Sequence, residues 1–132
     1  MSFIDWSKEL SVGYEQIDTE HKKLIELVNR LHGAMSKGQG NKIMGEIFDE
    51  LLNYTVFHFQ AEEKLMKSHS YPQAPAHFKE HQDLIQQVLE LQAKFKAGTV
   101  MLSIATMDFL KNWLANHILQ TDMNLGHFLA KV

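Results

Sequence analysis

Residues 58–81 hold two pairs of side chains suited to binding a metal ion. His58 and Glu62 are four apart, and so are His77 and His81. On an α-helix, side chains four apart share one face, one turn apart. Each pair can therefore aim two ligand atoms at one point. A break at Tyr71-Pro72 would fold two such helices back and converge four ligands on a shared interior. His21 lies on a helical segment before this stretch, and His117 and Asp122 lie on one after it.

These polar residues sit among apolar ones that repeat every three or four residues. Plain core packing accounts for the Leu, Ile, Val and Met members of such stripes. It does not account for five histidines and two acids, because a buried imidazole or carboxylate is costly unless paired or metal-bound. Seven protein ligands are too many for one tetrahedral zinc. Two six-coordinate ions offer twelve positions. Five histidines fill five, two bridging carboxylates fill four, and one bridging oxo or hydroxo group fills two. One position stays open, which is a site for a small ligand. Imidazole with carboxylate suits iron, zinc, copper or nickel. Di-iron oxidases on similar bundles use more carboxylates. A histidine-rich site should favour the ferrous form and stop short of breaking the O–O bond.

The elements that must position these residues follow from the same periodicity. Residues 1–16 show no sustained period, but Phe3, Ile4, Trp6 and Tyr14 let them pack as an N-terminal arm. Asp18 is the expected N-cap of a first helix over about 19–37, with His21, Leu24, Val28, Leu31 and Met35 on one face. Gly38-Gln39-Gly40 ends it, and Asn41 caps a second helix over about 42–67. The inward stripe there is Ile43, Ile47, Leu51, Tyr54, His58, Glu62 and Leu65. Pro75 suits the first turn of a third helix, about 75–97, carrying His77, His81, Leu84, Val88, Leu91 and Phe95. Ser103 caps a fourth, about 103–119, with Met107, Leu110, Leu114 and His117 in line. Four amphipathic helices with short connections give an all-α, up-down-up-down four-helix bundle, a single domain over 1–132. Five residues along a regular helix turn a side chain roughly 140°. Regular helix should therefore end or distort between His117 and Asp122, with an end near Gln120 and Asp122 capping a short last segment.

Composition excludes several functions. The 132 residues carry a net charge of −3 and one arginine, Arg30, with no basic cluster. That argues against nucleic acid and anionic membrane surfaces as partners. The absence of cysteine removes disulfides, thiolate catalysis, iron–sulfur clusters and covalent haem attachment. No run approaches the ~20 apolar residues that span a bilayer, and the N-terminus lacks a basic, then apolar, leader pattern. A cytoplasmic location is expected.

At these residues the chain resembles the hemerythrin family, in particular its single-domain bacterial members. Ile17-Asp18-Thr19-Glu20-His21-Lys22 is similar to the family's first ligand segment. His58 to Glu62, followed by Met66 and Tyr71-Pro72, resembles its H-x-x-x-E segment. His77 and His81 match its H-x-x-x-H, and Trp113 to Ile118 with Asp122 its H-x-x-x-x-D. Trp6 and Gly13 fit its N-terminal arm. The resemblance implies a non-haem di-iron centre, bridged by an oxo or hydroxo group and two carboxylates, that binds O₂ reversibly. His77, His81 and His117 would hold one iron. His21 and His58 would hold the other, which has the open position. Glu62 and Asp122 would bridge.

Leu24, Phe59, Trp113, Leu114 and Ile118 lie within a turn of these ligands and are expected to line an apolar O₂ pocket. His32, His69 and His127 fit no ligand spacing and read as ordinary solvent-facing or hydrogen-bonded histidines. The expected role is storage, transport or delivery of O₂ by a monomer that is not an enzyme. An oxygen-consuming oxidase or monooxygenase is a candidate recipient. A scavenger of peroxide or nitric oxide, with weak peroxidase-like activity, is the enzymatic alternative. An iron-storage or sensing module is the third, although this length leaves no room for a sensor's extra domain.

Overall fold

The computed structural model describes residues 3–98 and 104–131, and those residues contain helices and no strand. After a 3-10 turn at Lys8–Leu10 come α1 (Glu15–Ser36), α2 (Asn41–Ser68), α3 (Ala74–Lys96) and α4 (Ile104–Asn116). A π-helical segment, His117–Asp122, then leads into α5 (Met123–Leu129). Helix α1 packs on α2, α2 on α3, and α1 on α4. Short connections make α1, α2 and α3 successive antiparallel neighbours in the four-helix bundle.

The apolar half of the bundle is closed by Leu27, Leu31, Phe48, Leu51, Val88, Met107 and Leu110, all fully buried. Each such side chain contributes about 1.5–3 kcal/mol relative to exposure. The other half begins where polar side chains replace these. His21 is early in α1, His58 and Glu62 late in α2, His77 and His81 early in α3, and His117 just past α4. Antiparallel packing brings those four regions to one level.

On three points the fold departs from the expected elements. The buried stripe of α2 is Met44, Phe48, Leu51, Thr55, His58, Glu62 and Met66, spaced by three or four. Ile43 is 45% exposed, and Ile47, Tyr54 and Leu65 sit on the flank. Counting backward from Leu51 in steps of four drifts about 40° per step off the face, because four residues exceed one turn. Asp18 is not an N-cap. Helix α1 starts at Glu15, so Asp18 lies one turn inside it. Its carboxylate instead accepts bonds from Val12 N (2.8 Å) and Ser11 Oγ (2.5 Å). Likewise Asn41 is the first helical residue of α2, and Gly40 precedes it without a side-chain cap. The expected cap at Ser103 lies outside the described residues.

That clamp secures the arm. Farther out, the Asn29 side-chain amide bonds both Ile4 N (2.8 Å) and Ile4 O (2.9 Å). Phe3 stacks on His32 with centroids 4.1 Å apart. The arm also touches the chain's other end. A Cβ at Gly126 would lie 2.1 Å from Val12 O, so only glycine admits this approach of the arm to α5.

Candidate metal centre

The structure brings all seven candidate ligands into one buried cluster. His21, His58, Glu62, His81 and Asp122 have no exposed surface, and His77 and His117 almost none. The seven form two overlapping groups, each with its candidate ligand atoms within 4.8 Å of one another. One is His77, His81 and His117 with Glu62 and Asp122. The other is His21 and His58 with the same two carboxylates.

The two carboxylates divide their oxygens between the groups. Glu62 Oε1 lies 2.9 Å from His81 Nε2, 3.5 Å from His77 Nε2 and 3.7 Å from His117 Nε2. Glu62 Oε2 lies 3.2 Å from His58 Nε2 and 3.7 Å from His21 Nε2. Asp122 repeats the pattern. Its Oδ1 is 3.0 Å from both His77 Nε2 and His117 Nε2, and its Oδ2 is 2.7 Å from His21 Nε2. Two acids thus face three imidazoles on one side and two on the other.

Asp122 reaches the centre because the helix changes pitch. The chain does not break near Gln120; it widens into the π-helical segment from His117 to Asp122. A π-helix bonds i to i+5, so residues five apart stack as residues four apart do in an α-helix. The five-residue spacing of His117 and Asp122 is thereby placed on one face. Asp122 leads into α5 without a side-chain cap bond.

The outer nitrogens of three imidazoles are held by acids that the sequence reading left unassigned. Glu20 Oε1 is 2.6 Å from His58 Nδ1, Glu63 Oε2 is 3.0 Å from His81 Nδ1, and Glu80 Oε1 is 2.9 Å from His117 Nδ1. Thr121 Oγ1 in turn donates to Glu80 Oε2. Such partners fix ring orientation and raise ligand basicity. The signal was present. Each of these acids is next in the chain to a candidate ligand, His21, Glu62 or His81, and bonds a candidate ligand on a different helical segment. An adjacent residue points about 100° away from its neighbour, toward the next helix. No spacing rule says which neighbour it meets.

The remaining polar atoms test whether the cluster fits metal. His58 Nε2, His77 Nε2, His117 Nε2, Glu62 Oε2 and Asp122 Oδ1 are buried without a hydrogen-bond partner. A buried polar group left unsatisfied costs about 1–3 kcal/mol. These five converge on the shared interior, where cations would satisfy them together. Nitrogen and carboxylate donors suit iron or zinc.

The cluster's demand for positive charge also shows in its proton affinities. Burial pushes His58 down, but the Glu62 carboxylate, Glu20 and Asp122 outweigh it and raise its pKa to about 10. Burial likewise opposes protonation of His21, His77 and His117, and Asp122 and Glu62 outweigh it and hold all three above the ordinary value. Burial pushes Glu62 and Asp122 up, and the facing imidazoles hold both below the ordinary carboxylate range. The same carboxylates that favour protonated imidazoles would favour cations in their place. Groups with raised pKa contribute stability that is full below the ordinary 6.5 and lost as pH rises through the folded value. The lowered carboxylates contribute stability that is present above their ordinary values and lost at acid pH. Chelator-treated protein should therefore lose thermal stability steadily from pH 7 to pH 10, followed by circular dichroism. Loaded protein should not, because metal binding needs the deprotonated ligands. Equal pH profiles for the two forms would contradict this.

The apolar residues near the ligands are all buried. Phe59 stacks flat on His81, centroids 3.9 Å apart, and leans on His117 at 5.2 Å. Trp113 Nε1 donates to Leu84 O at 3.3 Å, tying α4 to α3. Leu24, Leu114 and Ile118 are within the core. The three other histidines stay outside the cluster. His32 stacks on Phe3, His69 Nδ1 lies 2.9 Å from Leu65 O, and His127 is exposed. Among the described residues no helix is long and apolar enough to cross a membrane.

Comparison with known proteins agrees with this geometry. A family model described as the hemerythrin HHE cation binding domain matches residues 12–129. A bacteriohemerythrin of Stenotrophomonas maltophilia (strain R551-3) is 38% identical over 119 residues, covering 89% of this chain and 76% of the relative. One of Methylococcus capsulatus (strain ATCC 33009 / NCIMB 11132 / Bath) is 34% identical over 131 residues, covering 98% of this chain and 99% of the relative. A crystal structure of wild-type hemerythrin superposes with a TM-score of 0.89 at 32% identity, over 95% of this chain and 96% of that one. By the match of its sequence and its bundle alike, this chain belongs to the hemerythrin family.

Proposed function

We propose that this chain binds O₂ reversibly at a non-haem di-iron centre and serves in oxygen storage, transport or delivery. The observation that carries the reading is the unequal split of imidazoles around two shared carboxylates. His77, His81 and His117 face one side, and His21 and His58 the other. With Glu62, Asp122 and one bridging oxo or hydroxo group, the first side would offer six donors to a metal ion and the second five. When bound, the metal pair supplies two electrons and one open position for O₂.

The chain's own residues then have separable tasks. Glu62 and Asp122, shared by both groups, would each hold both ions. Glu20, Glu63 and Glu80 hold the imidazoles of His58, His81 and His117 in orientation. Leu24, Phe59, Trp113, Leu114 and Ile118 exclude water from the interior, which keeps protons from it. Those three acids are engaged with imidazole nitrogens, which favours binding over proton-driven turnover.

The test is metal content. Purified protein should carry two irons per chain and no absorption band of haem. One metal per chain, or a Soret band, would sink the reading.

A further inference from the structure

A centre this buried needs a way in for its ions. We infer that ferrous ions enter and leave through the cavity between α3 and the π-helical segment, with Glu80 as the carboxylate that passes them to His77 and His117. The inference rests on the reading that the cluster holds a metal pair.

That cavity, about 690 Å³, reaches His77 directly. Apart from Ala76, each of its lining residues carries a polar group. Gln73, Gln120 and Asn124 offer amide oxygens, and Glu80 a carboxylate. Hard oxygen donors of this kind can replace the water shell of a hydrated divalent ion stepwise. A smaller cavity, about 330 Å³, touches His117 from the other side of Glu80, but Leu84, Phe109 and Trp113 help to line it. Such apolar groups cannot compensate an ion for lost water. The cavity beside the arm, about 620 Å³, touches no candidate ligand.

The ligand at the cavity is also the least restrained of its group. His81 and His117 have their outer nitrogens held by Glu63 and Glu80. His77 turns Nε2 toward Asp122, and its buried Nδ1 has no hydrogen-bond partner. Unlike the rings of His81 and His117, it has no acid holding its outer nitrogen. Glu80 itself is 36% exposed, at the boundary between solvent and cluster. Its two oxygens are held by His117 and by Thr121. Thr121 belongs to the π-helical segment, where the ordinary i to i+4 bonding is replaced. Release of Glu80 from Thr121 would free one oxygen for an incoming ion while the other still faces His117.

The test measures iron exchange at saturation. Diferrous, iron-loaded protein is incubated anaerobically with excess radiolabelled Fe(II), and protein-bound label is counted over time. Glu80→Gln keeps the size of the side chain and removes its charge. Exchange should slow about tenfold or more, the scale on which a charge in a narrow mouth raises association rates. A residue that only oriented His117 would give the opposite sign, because a loosened ligand releases iron faster. Faster or unchanged exchange in Glu80→Gln therefore overturns the proposal. Ala76→Trp is a second variant, at an exposed position lining the cavity that is itself neither a candidate ligand nor a hydrogen-bond partner of Glu80. It should slow exchange by obstruction, and an unchanged rate overturns the route. If Glu80→Gln retains no iron, Ala76→Trp decides alone. Failure of the wild-type protein to hold iron would instead sink the proposed function.

Discussion

Glu62→Ala should purify with almost no iron, whereas Glu63→Ala should keep two per chain. The two residues are adjacent, equally acidic and on the same helix, yet they face different things. Glu62 is fully buried, with Oε1 toward three imidazoles and Oε2 toward two. Removing it takes one oxygen from each side and would leave Asp122 as the one carboxylate shared between the two groups. It also leaves the raised imidazoles facing one carboxylate instead of two, and breaking a buried ion pair typically costs about 3–5 kcal/mol. Glu63 is turned about 100° away and accepts from His81 Nδ1, whose ring has its other nitrogen toward Glu62. Its loss should weaken retention by the 10- to 100-fold, roughly, that removal of an outer partner costs. Iron per chain, measured after dialysis with circular dichroism as the folding control, separates them. Equal retention in the two variants would contradict the account.

Leu114→Ala and Leu114→Asp should both shorten the life of the oxygenated protein while leaving iron content intact. Leu114 is buried, three residues before His117, on the turn of α4 that precedes it. By the proposed assignment His117 belongs to the fully coordinated side, so the turn before it overhangs the side with the open position. A leucine there has no hydrogen to donate and keeps water away. Alanine should open a path for water and cost stability by about 2–5 kcal/mol, as truncation of buried leucines does. Aspartate should bring a proton donor to the same place. Absorption of the oxygenated protein, followed from milliseconds to hours, should show faster decay to the diferric form in both. Two irons and wild-type decay in both variants would make Leu114 core filler and misplace the pocket.

Much of this was legible because helices convert spacing into direction. His58 with Glu62, and His77 with His81, are each four apart, and their shared faces were fixed as soon as the helices were. The bundle followed from four periodic stretches and three breaks. Other features depend on what the chain meets in space. Asp18 has the composition of a cap but binds Val12 and Ser11, because the arm returns across the first turn of α1. The five-residue spacing of His117 and Asp122 announced a distortion, but the sequence does not distinguish an ending from a widening. Glu20, Glu63 and Glu80 were hidden because their partners lie on other helices. Ile43 shows the limit of periodicity, since one residue of phase separates the core from solvent.

The most direct test of the central reading is an oxygenation cycle on the intact chain. The protein is reduced anaerobically, given O₂, then purged, with its visible spectrum recorded at each stage. The account predicts a colourless reduced form, a visible band on O₂ addition, and loss of that band on purging, repeated over several cycles. No band with O₂, or a band that purging does not remove, would contradict it.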